Sequence, residues 1–571
     1  MIENKILKKN LKSFIAFIVF LYFSIHQFVY SFSLGANWDE NNTVQSSGRY
    51  IQKYIYLLTN SKPEEMSYVS GEFYGEIIKL PIHLLTRFEN INFLFMKYVN
   101  KIFSGTIQNV IDAQFVLRHI FFNLYVLICL IFIYQKLKKL SDENIALWFL
   151  ILIVLMPSFI GHSIFNPTDT PFALHIFIAS LLFIEKLIYN ETQSFPDLII
   201  VGFWFGVSFL TRINAIAFLG ALSLFLLINN LNKINLRSFF KNNIIIYFSA
   251  LFMWLLLTPG MLLYPIKWLE TLIWFQFNQD WAGYNLVNGT KYYSLDASLL
   301  YLPKVFFYKL PLAHILLIFY GGYLYFRKKV SSQLFSYCCF FILYFIAVFS
   351  IYQPLVLDYL RHYQFLLPFI ALISSFSFNE LTKKININLM ATVLILYLVF
   401  TQFNLGPYKY IYLNELVDEA QISTECTETV DYNGCGLWQS DYYGLSGKEM
   451  VKKIEARNIE NIYFCDPNHT YSYFLSEELN WKNNNGTPDF DDYSFWDQYK
   501  YIYNIDHLNE YLSSGQTKFY MTAIHRPLAN TCKFDRITNM SNNLDCEIVD
   551  AVSTKIRFTD VNLNYLYLCN F

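Results

Sequence analysis

Two adjacent carboxylates, Asp39 and Glu40, follow a Lys-bearing leader (Lys5, Lys8, Lys9, Lys12) and an apolar run from Ser13 to Phe32. A carboxylate at mid-bilayer costs roughly 2.5 to 3.5 kcal/mol on insertion scales, so the pair belongs at a membrane surface. There it can take the proton of an acceptor hydroxyl in acyl or glycosyl transfer without a large pKa shift. A solvated helix end is the plain alternative.

Three further segments carry chemistry. GHSIFNPTDTPFA, Gly161 to Ala173, sets His162, Asn166 and Asp169 between two apolar stretches, with Pro167 and Pro171 making the turn. His162 and Asn166 are not needed for that turn, and both can bind a phosphate or a sugar hydroxyl; Asp169 is placed either to cap the next helix or to act in the site. Arg212 lies in LTRINA between two apolar runs, and Asp358, Arg361 and His362 lie together in LDYLRHYQFLLP. A guanidinium stays charged and presents paired donors that fit a phosphate. Anchoring to lipid headgroups accounts for Arg212 alone, and a simple ion pair accounts for Asp358 with Arg361. Taken together, the arginines, histidines and carboxylates favour chemistry on an anionic lipid.

The elements that position these residues are membrane helices. Of 571 residues 54% are hydrophobic and only 15% charged, too little polar surface for a soluble domain of that size. A net charge of -1 argues against a nucleic-acid partner. Apolar stretches near 13–33, 116–134, 145–161, 171–189, 195–211, 214–229, 243–264, 311–326, 333–353, 363–379 and 387–404 predict about eleven transmembrane helices. No small-x-small cleavage site clearly follows the first run, so it is expected to stay as a helix. With a cytoplasmic N-terminus, the short-loop clusters Lys136/Lys138/Lys139, Lys186, Lys233/Arg237/Lys241, Arg327/Lys328/Lys329 and Lys383/Lys384 all fall inside. The connections 34–115, 157–170, 265–310 and 354–362, which hold the candidate chemistry, then face outward. In the loop 265–310, Trp268, Trp274, Trp281, Tyr284, Tyr292 and Tyr293 suit an interfacial aromatic belt or a sugar-stacking surface.

The division expected is a transmembrane catalytic domain, 1–404, with a first outer loop 34–115, and a small extracytoplasmic α/β domain, 405–571. Strand-like runs Ile462 to Cys465 and Thr517 to Ile524 support the second. Six of nine cysteines lie there: Cys426, Cys435, Cys465, Cys532, Cys546 and Cys569. Cys426/Cys435 and Cys532/Cys546 are nearest in sequence, though spacing does not fix connectivity, and no metal-ligand spacing is evident.

The chain resembles the GT-C superfamily of polyprenyl-phosphate-sugar-dependent glycosyltransferases, and within it the bacterial, glycosyltransferase family 39-like relatives of dolichyl-phosphate-mannose protein mannosyltransferases. The resemblance rests on WDE after the first helix, EFYGEIIKLP from Glu72, LRHIFFNLYVL from Leu117, GHSIFNPTDTPFA, LTRI, LDYLRHYQFLLP, PYKYIYLNEL and DYYGLSGKE, in that order. It implies inverting transfer of a hexose, mannose by family analogy, from a polyprenyl-phosphate donor to a hydroxyl of a protein, lipid or glycan acceptor at the outer face of a bacterial inner membrane. It further implies that Asp39 is the general base with Glu40 orienting or binding the acceptor. Arg361, then Arg212 and His362, would hold the leaving phosphate. The protein mannosyltransferases need no cofactor and no obligatory metal, although other GT-C enzymes bind a divalent ion.

Two departures stand out. Asn166-Pro167-Thr168-Asp169 replaces the family's Asn-Pro-Lys-Asp, so a cation is missing near the donor and Lys309 or Lys304 is the expected substitute. Tyr442-Tyr443 stands where Tyr-Trp is common, and no β-trefoil insertion is evident. A membrane O-acyltransferase, a polysaccharide polymerase and an inactive relative remain as alternatives. A transporter fits less well, because the ionisable residues sit at the ends of spans rather than in their middles.

Overall fold

The computed structural model describes residues 2–37, 40–59, 76–86, 88–103, 106–189, 194–212, 214–229, 236–277, 284–293, 298–352, 358–383, 387–418, 422, 438, 440–459, 462–464, 469–472, 474, 501–502, 513–524 and 545–570. Among them, five helices are long and apolar enough to cross a membrane: 10–31, 110–140, 169–189, 239–256 and 361–382. Six shorter apolar helices cover 143–154, 195–211, 215–228, 312–326, 333–349 and 388–403, which accounts for the eleven stretches expected. The chain is a mostly helical integral membrane protein with a small sheet at its C-terminal end.

Two stretches end earlier than expected, each for a local reason. The stretch 145–161 is broken into α6 (Glu143–Val154) and α7 (Pro157–His162), and 243–264 into α11 (Leu236–Leu256) and α12 (Pro259–Leu263). Pro157 and Pro259 each open the second piece, since proline lacks the N–H that a continuing helix needs.

The segment 34–115, expected as the first outer loop, carries helices of its own: α1 (Ile2–Ser31) is followed by α2 (Glu40–Thr59), α3 (Glu76–Thr86) and α4 (Glu89–Ile102), then α5 (Val110–Leu140). In α3 the buried positions are Lys79, Ile82, His83 and Thr86, the spacing of one helix face. Next come α8 (Asp169–Phe183), α9 (Phe195–Thr211) and α10 (Ala215–Asn229). A Cβ on Gly202 of α9 would overlap Ser249 and Ile246 of α11, a small-residue contact of the kind that lets membrane helices approach closely.

Beyond α12 come α13 (Pro265–Phe277), a hairpin of β1 (Tyr284–Val287) and β2 (Thr290–Tyr293), and α14 (Tyr301–Lys309). The helices α15 (Leu312–Phe326), α16 (Gln333–Tyr352), α17 (Leu367–Thr382) and α18 (Ile387–Phe403) complete the bundle. Trp268 is buried against Trp254 while Trp274 is exposed, and Trp281 lies outside the described residues.

Charges sort to the two ends. One end carries the ion pairs Lys136–Glu185, Lys138–Glu143 and Lys186–Asp197, the Lys clusters assigned to short loops. The other end gathers the chemistry-bearing segments.

After α18 the chain crosses that second end and enters a five-stranded sheet of order β4 (Tyr501–Ile502), β3 (Ile462–Phe464), β5 (Lys518–Ile524), β7 (Thr559–Asn570), β6 (Asp545–Ile556). β3 is parallel to β4 and β5, and β7 is antiparallel to β5 and β6. Cys546 and Cys569, opposite each other in the β6/β7 ladder, form a disulfide, so Cys546 pairs with a cysteine other than its nearest in sequence, Cys532. Residues 23 apart become neighbours because an antiparallel hairpin folds them back. Cys426, Cys435, Cys465 and Cys532 lie outside the described residues.

Candidate functional site

The turn before α8 explains how a carboxylate comes to face inward. The side-chain oxygen of Asn166 accepts from the N–H groups of Thr168 (3.2 Å) and Asp169 (2.9 Å), so Asn166 satisfies the start of the helix. This corrects the capping role considered for Asp169. Released from capping, the Asp169 carboxylate accepts from the Asn166 amide at 3.0 Å, from Arg361 Nε at 3.4 Å and from Arg212 Nη2. Arg212 stands at the break after α9 in extended backbone, which turns its side chain toward α8.

Arg361 is presented by a tight bend. Asp358 and Tyr359 both have positive φ, 48° and 57°, an uncommon conformation for non-glycine residues, and a 3₁₀ turn, Arg361–Leu366, follows. Asp358 Oδ2 accepts from Arg361 Nη1 at 2.9 Å, so the ion pair considered from the sequence exists. The guanidinium also lies over the ring of Tyr443, 5.3 Å from its centroid, and the Tyr443 hydroxyl accepts from the Asn166 amide at 3.1 Å. The Arg361 side chain is 18% exposed and that of Arg212 9%, so Arg361 is the more open cation. His362 is half-buried beside it.

Asp39 and Trp38 lie outside the described residues, but their neighbours are placed. Glu40 is 3% exposed and accepts from the Asn37 N–H at 2.6 Å and from His119 Nε2 at 3.0 Å. The Asn37 side chain donates to the Phe165 carbonyl at 3.0 Å. The acidic loop is thereby tied to the segment that ends in Asn166 and Asp169.

His162 and Asn166 are placed inside the protein rather than at an open phosphate-binding face. His162 Nδ1 donates to the Ser158 carbonyl at 2.6 Å, and Nε2 faces the Tyr442 hydroxyl at 3.3 Å. Burial pushes the imidazole pKa down to about 4, opposed by the Ser158 bond and aided by the Lys309 charge. A Cβ on Gly161 would collide with the backbone of Lys409 and Tyr410, so that glycine lets the chain after α18 pack onto α7.

The substitute cation is also relocated. Lys309 is buried, donates to the Ile411 carbonyl at 3.1 Å and lies 4.4 Å from the Tyr359 ring centroid, with burial lowering its pKa to about 7. Lys304 bonds the Tyr292 hydroxyl at 2.8 Å. Neither is drawn to Asp169, whereas the charge of Lys79 acts on that carboxylate. Lys79 was visible in EFYGEIIKLP only as part of a motif. Its signal was a lysine on the apolar face of a short amphipathic helix.

Other groups missed from the sequence hold the C-terminal segment in place. Buried Asp441 accepts from the N–H groups of Leu445 (3.0 Å) and Ser446 (2.9 Å) and from the hydroxyls of Tyr410 and Ser446; burial raises its pKa against these bonds. Lys448 donates to Asp112 at 2.6 Å and to the Phe32 carbonyl at 2.8 Å, and burial lowers its pKa. Among the described residues no three His, Cys, Asp or Glu side chains are grouped to hold a metal ion.

Residues 93–259 match the family described as Dolichyl-phosphate-mannose-protein mannosyltransferase. The match spans 93–259, so over that stretch the chain is similar to this family. The family segment contains His119, His162, Asn166, Asp169 and Arg212, while Glu40, Lys79 and Arg361 are brought to it from either side. Among solved structures the chain is similar to ArnT from Cupriavidus metallidurans bound to undecaprenyl phosphate, at 11% identity and TM-score 0.48, covering 98% of this chain and 97% of that one. It is also similar to the Archaeoglobus fulgidus oligosaccharyltransferase in complex with Zn and sulfate, at 12% identity and TM-score 0.41, covering 88% and 67%. No curated protein matches.

Proposed function

We propose that the chain is an inverting glycosyltransferase that moves a hexose from a polyprenyl-phosphate donor to an acceptor hydroxyl at the extracytoplasmic membrane surface, with its N-terminus cytoplasmic. The observation that carries this reading is the meeting of Arg212 and Arg361 at Asp169, in a segment tied through Asn37 to the acidic loop. Asp39 takes the proton of the acceptor hydroxyl as its oxygen bonds to the anomeric carbon, and the carbon–oxygen bond to the lipid phosphate breaks on the opposite face. The phosphate leaves with the bonding pair, and Arg361 meets its growing charge, a contribution of about 3 to 4 kcal/mol for one such donor. Glu40, held by Asn37 and His119, orients the acceptor end.

Mannose is the proposed sugar by analogy with the matched family's name alone, and the acceptor is a protein, a lipid or a glycan. The reaction needs no organic cofactor, and chelation should leave it unchanged.

The test is transfer from a panel of synthetic polyprenyl-phosphate sugars by the full-length protein in nanodiscs, with and without divalent metal and acceptor candidates. Turnover of one donor that is lost in Asp39→Asn supports the reading. Silence with every donor, from protein that binds acyl donors instead, would turn the assignment to acyl transfer.

A further inference from the structure

A second basic site lies on the flank of the bundle, where α1 meets the chain leaving α18. Tyr22, His26 and Tyr30 fall on one face of α1 at four-residue spacing, and against them lie Gln402 and Lys409. The Tyr22 hydroxyl donates to Gln402 Oε1 at 3.0 Å, and the Lys409 ammonium sits 4.9 Å from the Tyr30 ring centroid.

The donors here are under-used. His26 is 7% exposed and neither ring nitrogen has a hydrogen-bond partner; Gln402 is 2% exposed and its Nε2 has none. Lys409, 2% exposed, has three protons to give and one acceptor, the Gly406 carbonyl at 2.8 Å. Among the described residues, none of the three is paired with a carboxylate. Buried donors without acceptors are costly, and several converging around an ammonium mark the place of an acceptor that carries negative charge.

The surroundings say what kind of molecule brings that acceptor. On α1, Ile25, Phe28 and Val29 are exposed, and on α18, Val399, Phe400 and Phe403 are exposed, so the buried cluster is flanked by two apolar surfaces that face acyl chains. Lys409 and Tyr410 are adjacent yet serve different places: Tyr410 packs on His162, Tyr442 and Tyr443, and Lys409 on Tyr30. The cluster is thus separate from the Arg361 site.

We propose that His26, Gln402 and Lys409 form a second, non-catalytic site for the phosphate of a membrane lipid, whose chains lie along α1 and α18. Basic pockets between membrane helices hold lipid headgroups in this way. Burial lowers the Lys409 pKa to about 7, and a bound phosphate restores its full charge.

Native mass spectrometry and thermal denaturation of the delipidated full-length protein test this, with added phosphatidylglycerol, phosphatidylcholine or undecaprenyl phosphate. Phosphatidylglycerol is expected to be retained and to raise Tm by several degrees in the wild type, with at least a tenfold weaker effect in His26→Leu and Lys409→Met. An equal response to undecaprenyl phosphate in wild type but not in these variants assigns the site to the polyprenyl lipid. If Lys409→Met does not fold, His26→Leu decides, because it replaces an unpartnered buried imidazole by a side chain that needs no partner. Retention of every lipid unchanged by His26→Leu would overturn the proposal and leave the cluster to water. The readout is binding, so it stands apart from whether any donor is turned over.

Discussion

Arg212 and Arg361 reach the two oxygens of one carboxylate, that of Asp169, one from within the matched stretch 93–259 and one from beyond it. Two guanidiniums so placed repel each other unless an anion lies between them. With Asp358 on the far side of Arg361, the four groups balance in charge before any ligand arrives. On the proposed reading, a lipid phosphate would meet arginines already fixed in place, and pre-organisation of that kind is what electrostatic catalysis requires.

Asp169→Asn should leave both cations without their shared anion. Breaking a buried ion pair by removing one partner costs about 3 to 5 kcal/mol. The variant is expected to lose both thermal stability and sugar transfer, measured by scanning fluorimetry and by product formation in nanodiscs. A variant as stable as the wild type would show that the carboxylate does not hold the arginines.

The two arginines should separate in their effects. Arg361→Ala is expected to lower turnover by about 10²- to 10³-fold, its proposed service being to the transition state, with a smaller fall in Tm than Arg212→Ala, because Arg361 is the more open of the two although Asp358 also loses its partner. Arg361→Lys should recover little of this, since an ammonium cannot keep the contacts to Asp358, Asp169 and the Tyr443 ring together. Arg212→Ala should lose stability as well as activity. Comparison of kcat, KM and Tm across the three variants checks the order.

Much of this was legible in the sequence, and the reasons differ by residue. The eleven apolar stretches follow from hydropathy, which reads the bilayer directly, and the sites of Asp169, Arg212 and Arg361 follow from charge at span ends. The partner of each group did not follow. Asn166 rather than Asp169 accepts the N–H groups that open α8, because what the Asp169 carboxylate does depends on what competes for it, and those competitors, Arg212 and Arg361, are distant in sequence. Lys79 went unnoticed because its charge matters only once α3 folds against the bundle, and Lys309 looked available because nothing local shows that Tyr359 covers it.

The acidic pair should divide its labour. Asp39→Asn is expected to lower transfer by about 10²- to 10⁴-fold, the usual contribution of a general base. Glu40→Gln keeps a side chain that can accept from Asn37 N–H and His119, so its loss should be several-fold smaller. Single-turnover rates with one donor measure both, and equal losses would make Glu40 a direct participant.

Peptide mapping without reduction should recover Cys546 joined to Cys569. Closing a loop of this size by a disulfide is worth about 3 kcal/mol in the chain-entropy account. Reduction is therefore expected to loosen the β6/β7 hairpin first, detected as faster proteolysis of the C-terminal sheet, while the ion pairs of the membrane bundle persist. Recovery of Cys532 joined to Cys546 would contradict the register of that hairpin.

The neutral, buried His162 should make the protein sensitive to mild acid. Its folded pKa of about 4 lies below the ordinary value of 6.5, so between these limits the unfolded chain binds a proton that the folded chain does not. Stability then rises with pH across that window: it is fully present above about 6.5 and is lost progressively as the pH falls toward 4. The cause is burial, since the imidazolium would be withdrawn from water and would also face the Lys309 charge. Thermal inactivation between pH 7 and pH 4.5 is the measurement, read as a slope against pH. His162→Gln, which keeps a donor for the Ser158 carbonyl and does not titrate, should flatten that slope even if it lowers stability at pH 7. An unchanged slope in His162→Gln would assign the acid sensitivity to the carboxylates instead.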